Sequence, residues 1–344
     1  MKIEIRIGNR ILGQGHPTYV IAEAGSNHNG DFDIAKKLIK AAADAGADAI
    51  KFQVFSAEKH YSKKTPLHSG YKERLYDLIK KLEIPREWLK ELKDYSDQKG
   101  IIFFASPCDY EAVELLENIG APLYKISSFE LVDLELIHYI ACKQKPLIIS
   151  TGLANMEEIE DAYLACVKAG NENVIFLQCA STYPSPCEIM NLKSMETIAK
   201  AFNVITGLSD HTEGIHISIA AAAMGAKVIE RHFTLDRKME GPDHAFALNP
   251  DDLMKLVKQV RDVEKAAGDG KKLGPKTEEM EFYEKARRSI HAACDIKSGT
   301  EITKDMLVVK RPGYGIKPKF IDAVTGLNAK IDISEDQWIT WKML

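Results

Sequence analysis

VITGLSDHTEGIHISIAAAAMGAKVIERHF, residues 204–233, decides the fold. It reads as a strand over 204–208, an alanine-rich helix over 214–224 and a second strand over 227–233. Both strand segments are nearly continuous apolar runs, which suits parallel strands covered on both faces. The same unit recurs outward from this stretch. Strand-like runs at 19–24, 48–52, 101–105, 123–127, 147–151 and 174–179 precede helical patterns at 33–45, 86–99, 110–119, 134–141, 156–169 and 191–201. The run at 227–233 is followed by a helix over 250–267, and a long polar excursion separates 48–52 from its helix. Eight β-then-α units predict an α/β protein built on a (β/α)8 TIM barrel over 19–267. The rival doubly wound sheet would want a G-x-G-x-x-G turn or a Walker A loop, and neither is present. Gly25-Ser26-Asn27-His28-Asn29-Gly30 reads only as a turn and a helix start.

The flanks have a different texture. Residues 1–18 alternate apolar and charged groups and predict an N-terminal hairpin closing the barrel bottom rather than a signal peptide. Residues 268–285 are rich in Gly, Lys and Glu and read as a linker. Residues 286–344 return to short β-like runs at 289–294, 306–310, 329–333 and 338–342, a small β-rich domain. Composition fits this picture: 344 residues, 45% hydrophobic and 28% charged, which excludes a mainly disordered chain, a fibre or a disulfide miniprotein. With 46 basic against 50 acidic residues, broad nucleic-acid binding is not expected. The most apolar stretch, 215–225, is far too short for a bilayer, so no membrane partner is expected. Six cysteines without a C-x-x-C pair read as reduced, core thiols of a cytoplasmic protein.

A barrel of this kind carries its chemistry at the C-terminal strand ends. The polar residues there are Glu23, Lys51, Gln53, Ser106, Lys125, Ser128, Glu130, Ser150, Thr151, Gln178, Ser181, Tyr183, Ser209, His211, Glu230 and His232. Residues two apart face the same side. Lys51 therefore points with Gln53, and Val228, Glu230 and His232 point into the barrel while Arg231 points out. His211 and His232 end neighbouring strands and can share one metal ion, with open positions for water and substrate. The alternative is that each ring packs or caps, and Asp210 or Thr212 caps the following helix. Lys51 and Lys125 fall on buried strands, where an unpaired ammonium is expensive. Either a bound phosphate or carboxylate stabilises them, with serines as donors, or they pair with Glu23, Glu130 or Glu230. A Schiff-base role for either lysine stays open on spacing alone. Asp243, in the Gly241–His244 loop, can lie over the mouth, and His28 reads as structural or substrate-adjacent rather than as a metal ligand.

IAEAGSNHNGD (21–31), KFQ (51–53), YKISSFE (124–130), STG (150–152), GLSDHT (207–212), IERHFTLDR (229–237) and GPDHAFALNP (241–250) occur in order. Together they resemble the sialic acid synthase family. DIKSGTEIT (295–303) and KRPGYGI (310–316) look like that family's antifreeze-like SAF domain, a β-clip. The resemblance covers nearly the whole chain. It implies condensation of phosphoenolpyruvate with an N-acylated mannosamine-type sugar, giving a nonulosonic acid and phosphate by C–O cleavage. It also implies a divalent ion, commonly manganese with magnesium or cobalt as alternatives, and a domain-swapped homodimer whose small domain caps the partner's barrel. By position, His211 and His232 match metal ligands. Lys51, Ser106, Lys125, Ser128, Ser150 and Ser209 match the phosphoenolpyruvate site, and Glu23 and Glu230 match catalytic carboxylates. Gln53, Glu130, Tyr183 and Asp243 match sugar contacts, and Arg311 matches the arginine delivered to the neighbouring site. Ser181 stands where relatives often have Asn, the excursion 58–72 lacks an Asn that some use on the sugar, and an aromatic residue of some relatives is missing around Arg287–Ser289. The Gly-Pro-Asp-His run argues against the pseudaminate branch. N-acetylmannosamine is the expected sugar, with legionaminate-type, pseudaminate-type and 6-phosphorylated substrates as alternatives. A Schiff-base aldolase and a non-catalytic carbohydrate- or ice-binding protein are the readings from other classes.

Overall fold

The computed structural model describes residues 3–67 and 73–344; the 68–72 part of the polar excursion lies outside the described residues. The chain folds as two compact units, residues 1–268 and 269–344. In the first, the strands β1 (Glu4–Ile7) and β2 (Arg10–Gly13) form an antiparallel hairpin. Eight parallel strands follow: β3 (Tyr19–Gly25), β4 (Ala49–Val54), β5 (Ile102–Pro107), β6 (Tyr124–Ile126), β7 (Leu147–Ser150), β8 (Val174–Cys179), β9 (Ile205–Asp210) and β10 (Val228–His232). Their hydrogen-bonded order is β5-β4-β3-β10-β9-β8-β7-β6. With β5 and β6 lying side by side, the sheet is a near-closed barrel.

The pleat divides the core in two. Outward residues such as Val20, Ile50, Phe52, Phe103 and Phe176 pack under the helices. Inward residues Tyr19, Ile21, Ala49, Phe104, Leu123, Ile148, Ile175, Leu177, Ile205 and Val228 fill the lower barrel, and Ile5, Ile7 and Leu12 of the hairpin join them. Each such large side chain contributes ~1.5–3 kcal/mol of transfer free energy. The hairpin is thus the floor that keeps water out of the lower barrel. Above that apolar layer the same inward positions turn polar.

The helices start where the strand-end loops supply a cap. Asp31, Asp109, Asp133, Asn155 and Asn249 each accept a backbone N–H of the first turn, a contribution of about 1 kcal/mol apiece. The excursion after β4 is more structured than its polarity suggests, with helices Ala57–His60 and Leu75–Leu82 before helix Trp88–Lys99.

In the second unit, a 3-10 turn (Thr277–Glu279) and a helix (Met280–Lys285) occupy the stretch that reads as linker. β11 (Ser289–Ala292) and β12 (Leu307–Lys310) pair antiparallel. The runs at 329–333 and 338–342 do not become strands; they contribute isolated bridges Ile296↔Ile333 and His291↔Trp338. The turn at Asp336, with φ of 68°, breaks the extended backbone between them. The unit has its own core around Ile290, Ile296, Ile302, Val324, Ile333 and Ile339. The expectation of core cysteines holds for Cys166 and Cys179 only: Cys142, Cys187 and Cys294 are exposed and Cys108 is intermediate. A short side chain at a helix end or turn has too little apolar area to force burial there. Among the described residues no helix is long and apolar enough to cross a membrane.

Candidate active site

Parallel register brings the polar inward residues to one level. His232 stands beside Glu23 and Glu23 beside Lys51, while Glu230 neighbours Ser209. Lys51 Nζ lies 2.7 Å from Glu23 Oε2, 3.6 Å from Glu230 Oε1 and 3.4 Å from Ser106 Oγ. Lys125 Nζ donates to Ser150 Oγ at 2.7 Å and to the Ile126 carbonyl at 2.9 Å, and sits 3.9 Å from Glu230 Oε1. Ser209 Oγ is 3.5 Å from the same Glu230 oxygen. All of these groups are buried. Of the two ways to stabilise the buried lysines, the Lys–Glu pairing is therefore present, through Glu23 and Glu230 and not Glu130.

The charges are unevenly compensated. Burial pushes the Glu23 carboxyl up and Glu230 adds to this, against the opposing pull of Lys51. Burial works the same way on Glu230, but Lys125, Lys51 and the two histidines outweigh it and hold that group low. Burial lowers the Lys125 ammonium, and the carboxylates only partly offset it. For Lys51 the carboxylates win over burial and raise it. An anion entering here meets two ammonium groups and three serine hydroxyls already ordered around them.

Beside this cluster His211 and His232 face each other, with ring centroids 5.2 Å apart. His211 Nδ1 lies 2.9 Å from the Ala180 carbonyl, which makes it the N–H and leaves Nε2 as a lone-pair donor. His232 Nδ1 lies 3.4 Å from Asp243 Oδ2. Burial lowers the His232 ring, but Asp243 more than offsets it. Tyr183 lies tilted by 50° at 4.3 Å from the His211 ring, and Phe246 meets His232 edge-on at 5.1 Å. Asp243, Glu23 and Gln53 converge around Gly25: a Cβ there would lie 3.4 Å from Asp243 Oδ2, 3.5 Å from Glu23 Oε1 and 3.8 Å from Gln53 Oε1. Two imidazoles, one bonded to a carbonyl and the other 3.4 Å from a carboxylate, fit a divalent ion. Among the described residues no third His, Cys, Asp or Glu atom completes a cluster with them, so water and substrate would fill the rest of the shell.

The outward face of the same strands is structural. Arg231 donates to Asp210 Oδ2 and to the Thr212 carbonyl, each at 2.6 Å, and is 1% exposed. Asp210 also accepts from Ser218 Oγ and Thr212 N, which fixes the turn carrying His211. Gln178 belongs to this face too: its amide donates to the Met190 carbonyl, so it leaves the ring of strand-end groups. The inward neighbour is Cys179, 3.8 Å from His211 Nδ1.

The chain matches the NeuB family over residues 38–272 and the SAF domain over residues 287–344. It belongs to the NeuB family. An N,N'-diacetyllegionaminic acid synthase of Campylobacter jejuni is 42% identical over 330 residues, 94% of this chain and 98% of its own. An N-acetylneuraminate-9-phosphate synthase of Mus musculus is 39% identical over 350 residues, 98% of this chain and 96% of its own. The crystal structure of the N-acetylneuraminic acid (sialic acid) synthetase of Leptospira borgpetersenii, in complex with citrate, superposes with a TM-score of 0.74 at 36% identity, covering 82% of this chain and 95% of that one. The NeuB-family chain is thus an enzyme of the acid-synthase type, a barrel followed by a SAF domain.

Within this NeuB-family barrel Ser128 and Glu130 bond partners other than the lysines. Ser128 Oγ accepts from Gly152 N at 3.0 Å, and a Cβ at Gly152 would come within 2.2 Å of Ser181 Oγ and 2.7 Å of Ser128 Oγ. Only glycine lets these two hydroxyls approach. Glu130 is paired with His60, Nε2 to Oε1 3.1 Å, and accepts from Ser127 Oγ. Burial raises its carboxyl, but His60 and Ser127 hold it below the usual range. Arg311 is exposed just after β12, in the second unit. Sequence reasoning missed Phe246, Cys179 and His60. Parity marks Cys179 as inward through Leu177, and Phe246 lies inside the quoted 241–250 run. His60 carries no such signal.

Proposed function

We propose that this enzyme condenses phosphoenolpyruvate with the open-chain form of an N-acylated mannosamine-type sugar, releasing inorganic phosphate. The observation that carries the reading is the juxtaposition of a buried lysine–serine anion site with a paired-histidine site on adjacent strand ends. Lys51, Lys125, Ser106, Ser128, Ser150 and Ser209 hold the phosphate and carboxylate and fix the enol carbon toward the sugar. His211 and His232 hold a divalent ion, manganese in the first instance, which supplies Lewis-acid polarisation of an aldehyde oxygen when bound. Carbon 3 of phosphoenolpyruvate forms the new bond to the sugar's carbon 1. Water adds at carbon 2, and the carbon–oxygen bond to phosphate breaks. In this reading Glu23, whose Oε1 has no hydrogen-bond partner, takes the water's proton, and Glu230 is the fixed negative charge between the lysines. Gln53, Glu130, Tyr183 and Asp243 receive the sugar, and Arg311 is delivered by the small domain of a partner chain in a homodimer. A cytoplasmic setting suits the substrates.

The identity to the Campylobacter relative favours a second reading within the same chemistry, with a diacetamido trideoxy sugar as acceptor. A panel of N-acetylmannosamine, its 6-phosphate and diacetamido trideoxy sugars, with phosphoenolpyruvate and product mass as readout, decides between them. Phosphate release should stop on chelation and return with manganese. Turnover that survives complete metal removal would sink the paired-histidine role, and a lysine-trapped adduct would favour an aldolase.

A further inference from the structure

We propose that His60, Cys108 and Glu130 form a second divalent-cation site, of the zinc type, separate from the paired histidines. His60 ends helix Ala57–His60 after β4, Cys108 directly follows β5, and Glu130 lies in the loop after β6. Three adjacent strand ends thus present an imidazole, a thiol and a carboxylate whose ligand atoms all lie within 4.8 Å of one another. His60 Nε2 and Glu130 Oε1 are 3.1 Å apart. Nitrogen and oxygen ligands on one tetrahedral zinc are separated by about 3.3 Å, and a sulfur ligand from either by about 3.5 Å. The existing separation of the first two therefore already suits chelation, and only the thiol has to close in.

The donor set is selective. Thiolate, imidazole and carboxylate together favour zinc over magnesium or manganese, and three protein ligands leave the fourth position to water. Asp109 is not available as that fourth ligand, since its oxygens bond Arg86 and the Ala112 N–H. Burial and the Glu130 and Asp109 carboxylates keep the bare Cys108 thiol protonated. Metal binding at this site therefore releases a proton. Glu130 is also a sugar contact in the function proposed above, so zinc here competes with the sugar. That consequence rests on the proposed function; the binding itself does not.

The test is a cobalt(II) titration of the metal-stripped, full-length chain, followed by zinc displacement. The expected result is a thiolate-to-cobalt charge-transfer band in the near ultraviolet that persists in the His211→Ala, His232→Ala double variant. Cys108→Ser should abolish it, and His60→Ala, at a half-buried position, should weaken cobalt binding at least about tenfold. No thiolate band at saturating cobalt, or a band that survives Cys108→Ser, overturns the site. A Cys108-dependent band without sugar-competitive zinc inhibition supports the site and removes only the sugar role of Glu130.

Discussion

His28 should make the barrel's stability drop on acidification, in a window set by its burial. The ring is fully buried, its centroid 6.3 Å from Phe52 and 5.9 Å from Trp88. Nδ1 accepts the Gly30 N–H at 3.0 Å, and Nε2 has no partner. Burial lowers its pKa from 6.5 to about 4. The unfolded chain therefore takes up a proton near pH 6.5 that the folded chain refuses until about pH 4. Between those values the unfolded state holds one proton more, so stability is full above pH 6.5 and is lost as pH falls. At ~1.4 kcal/mol per pH unit, the total from this one group is roughly 3 kcal/mol. The assay is urea unfolding across this range, followed by Trp88 fluorescence in a Trp338→Phe, Trp341→Phe background that silences the second unit. His28→Asn keeps an acceptor for Gly30 but cannot titrate. The variant should be less stable at neutral pH, through the lost ring contacts, yet its stability should decline less steeply on acidification. Parallel pH profiles for the two chains would refute the argument.

Arg231→Met should lower the barrel's stability by about 3–5 kcal/mol because Asp210 is left as a buried, unpaired charge, and Asp210→Asn added to it should recover part of the loss. In a thermal scan this is a midpoint drop of roughly 6–20 °C at ~2–4 °C per kcal/mol. Gly152→Ala drives a methyl into Ser128 and Ser181, so the KM for phosphoenolpyruvate should rise on the order of ten- to a hundredfold with the circular dichroism unchanged. Mixing a His211→Ala, His232→Ala chain with an Arg311→Ala chain should restore part of the activity if Arg311 acts across a dimer. No rescue, with subunit exchange verified, places Arg311 outside the partner's site.

Some of this was legible from residue order because period decides it. Apolar runs followed by three-turn amphipathic segments carry the barrel, and parity along β10 separates Glu230 and His232 from Arg231 without any structure. Parity applied to β8 would equally have turned Gln178 outward and Cys179 inward. Partner choice was not legible. Spacing allows Glu23, Glu130 or Glu230 beside the lysines, and only the register of β3, β4 and β10 brings Glu23 and Glu230 there. Glu130 goes instead to His60, whose short helix is held from outside itself, Glu83 accepting the Ala57 N–H. Four-residue helices have no periodicity to read. In the second unit, single bridges rather than ladders hold the last two runs, and local pattern overstates them as strands.

The seam between β3 and β10 has a kinetic meaning. Every other hydrogen-bonded strand pair in the barrel joins neighbours in sequence, whereas Tyr19 pairs with Val228. Bringing these residues together closes a loop that costs ~5 kcal/mol of chain entropy before any ladder bond forms. The barrel should therefore zip as consecutive βα units and shut last at this joint. Pulse-labelled hydrogen exchange should find the Tyr19 amide, bonded to the Lys227 carbonyl at 2.8 Å, among the last to gain protection. Until the seam shuts, the register that sets His232 beside Glu23 does not exist, so activity during refolding should appear with that late protection and not before it.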